Sequence, residues 1–317
     1  MSGRSRRVSK NAGRSGARTR TRARAGEGRE PLRLVGRRPR AAEEASDHPA
    51  RWTRPHVRTL AVASGKGGVG KSNLAANLAV ALGARGARVL LLDADLAQAN
   101  LDLLLGVHPR FDVQHVLAGD KSIEEILVEG PKNVTLVPAA SGAPELAELD
   151  DYRLECLLRG LGNLETEADI ILIDVASGVS RQVLSFCLAA DEVMIVTTPE
   201  MPAFSDAYAM IKRLRHRGLT RAPRLVVNAA GSADEAEEVA HRLRLVARRF
   251  LKLELEPCGF VPFDPAVPRA VRMQEPVITA FPQAPASLAY RALAERLWSP
   301  PAGPDVTFQP LAEKLEA

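Results

Sequence analysis

Long apolar runs are missing from these 317 residues: nowhere do eighteen apolar residues follow one another, and the N-terminal arginines have no apolar stretch behind them. Neither a membrane-spanning helix nor a secretory signal is expected, and the chain reads as cytosolic. Cysteine is scarce too. Cys156, Cys187 and Cys258 are odd in number and far apart, which excludes a disulfide framework and a thiolate metal site and leaves buried thiols as the expectation. His108, His115, His216 and His241 lack the spacing of metal ligands and read as structural or surface residues. No tyrosine follows Tyr290, and no methionine lies between Met1 and Met194, so a later start would need a non-AUG codon, with Val57 a candidate.

What is present is apolar content of 46%, ample for one large α/β domain, and an uneven charge. Sixteen arginines and one lysine face five acids in residues 1–60, a net of +12 out of a total of +5, which leaves −7 for 61–317. The protein is an acidic body with a basic tail, so the attraction to nucleic acid that a pI near 9.3 suggests for the whole molecule is confined to that tail. Residues 1–57, rich in Arg, Ser, Gly and Ala, cannot offset the entropy of ordering and read as a disordered tail, solvated or bound to a phosphate backbone or anionic lipid. Residues 299–317 read as a Pro-rich linker and a short C-terminal segment. The folded unit is 58–298.

Within it, short apolar runs alternate with helical patterns. The runs are Leu60–Ala63, Val89–Leu92, Val134–Val137, Ile170–Ile173, Val193–Val196, Leu225–Val227 and one near Gly259–Val261. Several are apolar at consecutive positions, the mark of strands covered on both faces. Leu74, Leu78 and Leu82 recur every four residues, and Ser205 precedes a pattern through Tyr208, Ile211 and Leu214. Repeated βα units imply a doubly wound, mostly parallel sheet with helices on both faces and its ligand rim at the strands' C-terminal ends.

The first run leads into Gly65-Lys66-Gly67-Gly68-Val69-Gly70-Lys71-Ser72, followed by Asn73 and a helix. This is G-x-x-x-x-G-K-[ST] in the strand–loop–helix setting its mechanism requires. The glycines let backbone N–H groups wrap a phosphate, the helix adds its positive end, Lys71 neutralises β- and γ-phosphates, and Ser72 ligates Mg²⁺. Asp93 and Asp95 share a face at the end of the second run and suit metal-bound and attacking water. Ile170–Ile173 ends in Asp174, a Walker B arrangement expected to hold Mg²⁺ through water. Asn228 can donate and accept at once against adenine, whereas Asn228-Ala229-Ala230-Gly231 lacks the Lys and Asp of a guanine-reading box. ATP is the expected nucleotide.

The second lysine, Lys66, makes the loop resemble the deviant Walker A box of the MinD/ParA ATPases, in which such a lysine reaches across a nucleotide-sandwich dimer. The resemblance covers 58–298. It implies that Lys66, Lys71 and Asp95 are catalytic, Asp95 orienting the water; that Ser72, Asp93 and Asp174 serve the metal; and that Asn228 and the Pro262–Asp264 loop hold the base. Asn100-Leu101-Asp102, Leu105-Gly106, His115–Gly119, Ile126–Pro131, Val137–Gly142 and Ala207–Lys212 are similar to flagellar-number regulators of the FlhG/FleN type. That subgroup implies an ATP-dependent homodimer, peripheral at the inner membrane face, acting on a signal-recognition-type GTPase, a transcription activator or switch-ring proteins. Asp47-His48-Pro49-Ala50-Arg51 matches poorly the N-terminal element by which such regulators stimulate that GTPase. Phe308, Leu311, Ala312 and Leu315 share a helical face, but Glu313 and Glu316 make it a poor lipid anchor. Val175 stands where the family carries a hydroxyl residue, which would remove a donor near the γ-phosphate. Iron–sulfur carriers are disfavoured without Cys-x-x-Cys, and tyrosine kinases without a C-terminal tyrosine cluster. A partition ATPase gripping DNA with Lys212, Arg213, Arg215, Arg217, Arg221 and Arg224 is an alternative, as is a nonhydrolysing ATP-bound scaffold.

Overall fold

The computed structural model describes residues 57–96, 98–140 and 167–298, with 149, 152, 153, 157, 160, 161 and 164 between them. The basic tail, the C-terminal segment and Cys156 lie outside the described residues. All seven expected runs are strands: β1 (Arg58–Ala63), β2 (Val89–Ala94), β4 (Val134–Val137), β5 (Ile170–Val175), β6 (Glu192–Thr197), β7 (Arg224–Ala230) and β8 (Glu256–Pro262). The two-residue β3 (Val128–Glu129), too short to announce itself, pairs antiparallel to β4 and closes one edge. The sheet order is β3-β4-β2-β5-β1-β6-β7-β8, parallel apart from β3.

Among the described residues the α-helices are α1 (Lys71–Gly83), α2 (Leu101–Leu105), α3 (Val113–Leu117), α4 (Arg181–Ala189), α5 (Met201–His216), α6 (Ala233–Val246), α7 (Ala266–Met273), α8 (Val277–Ala280) and α9 (Pro285–Trp298). Because successive strand residues point to opposite faces, each central strand feeds two cores. Leu60, Val62, Leu91, Leu172, Met194 and Val226 pack with α1 and α9; Ala61, Ala63, Leu92, Ile171, Ile173 and Ile195 pack with α4, α5 and α6. Helix α1 is buried almost all round because the sheet, α2, α8 and α9 all pack against it, so its leucines at every fourth position mark only part of its contact surface.

Helix α5 starts at Met201, four residues before Ser205, and carries Pro202 in its first turn. Proline is tolerated there because the first helical N–H groups have no intrahelical partner. The chain leaves β1 toward the face of α1 and leaves the neighbouring β5 toward the face of α4. A crevice therefore opens between the C-terminal ends of these two strands.

Candidate nucleotide site

Residues 64–70 turn tightly from β1 into α1. A Cβ at Gly65 would lie 2.0 Å from the Asp206 carbonyl oxygen, so this glycine is imposed by the approach of α5. Gly70 has φ +83, and a Cβ there would lie 2.3 Å from Asn228 Nδ2. Gly70 is also the N-cap of α1 and gives its first turn no side-chain acceptor. Those N–H groups face the loop with the positive end of the helix behind them, as an anion requires.

Lys71 turns inward beneath the loop. Its Nζ donates to Asp174 Oδ1 at 2.6 Å, with only 7% and 1% of the two side chains exposed. Burial pushes the Asp174 carboxyl up, while the Lys71 ammonium and the Ser72 hydroxyl pull it back. Asp174 Oδ2 is buried without a partner. An unsatisfied carboxylate oxygen beside a serine hydroxyl suits a hydrated Mg²⁺, which takes one or two protein oxygens and fills its octahedron with phosphates and water. No cluster of three or more His, Cys, Asp or Glu able to hold a metal occurs among the described residues.

Asp93 and Asp174 are opposite each other in the β2–β5 pairing. Burial, reinforced by the Asp174 charge, pushes Asp93 up to about 7. Its Oδ1 accepts the Asp95 N–H at 3.2 Å, and its Oδ2 accepts Asn100 and Leu101 N–H at 3.0 and 3.1 Å. Asp93 thus clamps the loop that carries the half-buried Asp95 and starts α2. The magnesium role expected of Asp93 competes with this clamp.

Val175 is wholly buried among Ile173, Val183 and Phe186, so its side chain faces the core. The loss of a donor near the γ-phosphate, expected from Val175, does not follow from this geometry. Ser177 supplies a hydroxyl on the loop instead, 3.5 Å from where a Gly67 Cβ would stand, and Gly178 N–H donates to Ser64 O at 2.9 Å. That bond ties the segment after Asp174 to the phosphate loop.

Lys66 stands at the surface, where its Nζ pairs with Glu200 at 2.8 Å. Glu200 follows Thr197-Thr198-Pro199 at the end of β6, and its pairing with Lys66 across 134 positions leaves no local pattern in the sequence.

Where the base was expected, Asn228 Nδ2 donates to Val69 O at 2.7 Å, bracing the phosphate loop from β7. Asp264 Oδ1 accepts Ala266 N–H at 2.8 Å and Oδ2 accepts Ala286 N–H at 3.0 Å. One carboxylate thereby caps the starts of both α7 and α9, and both of its oxygens are used by the fold. Pro262 pairs with Ala230, two residues beyond Asn228.

A glycine-rich loop at a switch point, a buried Lys–Asp pair under it and a strand-end carboxylate together define a P-loop nucleotide-binding protein. The family model described as "AAA domain" matches residues 57–223. The chain is 40% identical over 262 residues to the antiactivator FleN of Pseudomonas aeruginosa, covering 82% of this chain and 93% of that one. It is 34% identical to the flagellum site-determining protein YlxH of Helicobacter pylori, over 68% of this chain and 74% of that one. Septum site-determining MinD of Bacillus subtilis is 31% identical over 80% and 92%. Among solved structures, MinD of Pyrococcus horikoshii complexed with Mg-ADP superposes with a TM-score of 0.66 at 29% identity, covering 77% of this chain and 96% of that one. This chain belongs to the MinD/ParA family of P-loop ATPases.

Proposed function

We propose that the chain is an ATP-binding and hydrolysing switch that works as a nucleotide-dependent homodimer and regulates flagellar number or placement. The observation that carries the reading is the buried Lys71–Asp174 pair, with its orphaned Asp174 Oδ2, beneath a loop and a helix end left without side-chain caps. Lys71 and the α1 N-terminus hold β- and γ-phosphates; Ser72 and Asp174 would hold Mg²⁺, which supplies charge neutralisation there. Asp95, kept at the rim by the Asp93 clamp, orients water for attack. Asn228 carries the base end with Pro262 beside it, and ATP is the nucleotide.

Lys66 is the residue that makes dimerisation part of hydrolysis. Its ion pair with Glu200 is exposed, and such pairs hold weakly. It can exchange Glu200 for phosphate oxygens on a second copy, adding a cation where charge spreads in the transition state. The flagellar role is supported by the likeness to FleN and YlxH, and a partner GTPase, transcription activator or switch-ring protein would read the dimer. The chain would act in the cytoplasm and peripherally at its membrane; no helix among the described residues is long and apolar enough to cross one.

Turnover tests the reading. ATP hydrolysis per molecule should rise with protein concentration and fall at least tenfold in Lys66→Ala. A rate flat in concentration removes the dimer from the mechanism, and no turnover leaves an ATP-bound scaffold. Salt-sensitive retention on DNA would instead favour partition, for which the exposed Lys212 and Arg213 on α5 and Arg217 just after it are the relevant groups.

A further inference from the structure

One hydroxyl at the phosphate end is uncommitted. In the segment from Asp174 to α4, Val175 packs into the core and Ser180 caps α4, its Oγ accepting Val183 N–H at 3.3 Å. On the phosphate loop itself, Ser64 Oγ donates to Lys66 O at 3.0 Å. Ser177 is exposed, and among the described residues its hydroxyl has no hydrogen-bond partner.

That hydroxyl has a defined place. Gly178 N–H donates to Ser64 O at 2.9 Å, and a φ of +94 at Gly178 turns the chain there, so Ser177 is held against the phosphate loop. Its Oγ lies 3.5 Å from the point that a Cβ on Gly67 would occupy, and apart from the flanking loop residues nothing else described comes within 4 Å of that point. Over Gly68 the corresponding point is clear to 4 Å. The hydroxyl therefore stands beside an open crest of the loop, on the same short segment as the orphaned Asp174 Oδ2.

Position along the loop decides which phosphate this hydroxyl meets. Lys71 and the first turn of α1 form the inner end of the cradle, which holds the phosphates that ADP and ATP share. Gly67 and Gly68 precede Lys71 at the outer end, where only a longer polyphosphate reaches. We propose that Ser177 donates its hydroxyl to a γ-phosphate oxygen of bound ATP, a contact that ADP cannot make. A hydroxyl with no protein partner gives up only water to form it, and a bond to a charged oxygen is shorter and stronger than one to a neutral acceptor. The proposal rests on the ATP reading of this site and adds the residue by which the chain tells triphosphate from diphosphate.

The experiment is calorimetric titration of the full chain, in magnesium, with ADP and with the β,γ-methylene analogue of ATP, which resists hydrolysis. Ser177→Ala should weaken the analogue about tenfold and leave ADP within about twofold, the ADP result also showing that the variant is folded. Ser177→Thr keeps the hydroxyl and should restore the analogue. The same loss is expected when Ser177→Ala is made in a Lys66→Ala background, where a second copy has no lysine to add. Equal weakening of both nucleotides overturns the contact, as does an unchanged affinity for the analogue, a Ser177→Thr no better than Ser177→Ala, or a loss that disappears without Lys66. Any of these leaves the ATP reading standing as long as the wild type binds the analogue. A wild type that binds neither nucleotide overturns the ATP reading and the contact with it.

Discussion

The two ends of the nucleotide crevice use their polar residues differently. At the phosphate end, Lys71 donates to both Ser72 and Asp174, and a buried Asp174 carboxylate oxygen is left unsatisfied. At the end proposed for the base, Asn228 gives a donor to Val69 and Asp264 spends both oxygens on helix starts. Phosphate chemistry fixes spacing in a short stretch of chain, so its residues keep unsatisfied capacity. The base end is assembled from β7 and the loop after β8, and there the same residue types first hold the fold together.

The largest expected effect lies at the phosphate end. Lys71→Ala leaves Asp174 as an uncompensated buried charge, a loss of about 3–5 kcal/mol, and abolishes retention of ATP with magnesium. Chemical denaturation and nucleotide retention on the same protein measure the two losses, and unchanged stability would mean that the pair is not buried as described. Asp264→Ala removes two helix caps at about 1 kcal/mol each, which lowers the melting temperature by about 2–4 °C per kcal/mol while leaving the preference for ATP over GTP unchanged. A changed preference would show that Asp264 reads the base and would erase the contrast between the two ends. Asn228→Ala should weaken ATP by about tenfold, one lost hydrogen bond's worth, with a smaller shift in melting than Asp264→Ala. The smallest effect is a silence. Burial holds the Cys187 thiol up to about 12 and raises Cys258, so neither should react with a thiol reagent at neutral pH until the protein unfolds.

The strands and the phosphate loop were legible because their signals are local: consecutive apolar residues for buried strands, and glycines at 65, 67, 68 and 70 ahead of Lys71. Glu200 opposite Lys66 and the Asp93 bonds to Asn100 and Leu101 were not, since they depend on how distant or irregular segments meet. Asp264 was visible as an acid after a strand and proline, but its double cap needs α9, which begins 21 residues later. The π turn Ala247–Leu251 after α6 was also hidden, because the pattern Leu243, Ala247, Leu251 reads as an unbroken helix.

The central claim is that nucleotide brings two copies together through Lys66. Light-scattering mass measurement of Asp95→Ala, loaded with ATP and magnesium, tests it most directly, since the carboxylate proposed to orient the attacking water is removed while the phosphate loop is intact. The account predicts a dimer with ATP, a monomer with ADP, and a monomer or an inactive dimer when Lys66→Ala is added. A single mass under every nucleotide condition would contradict it.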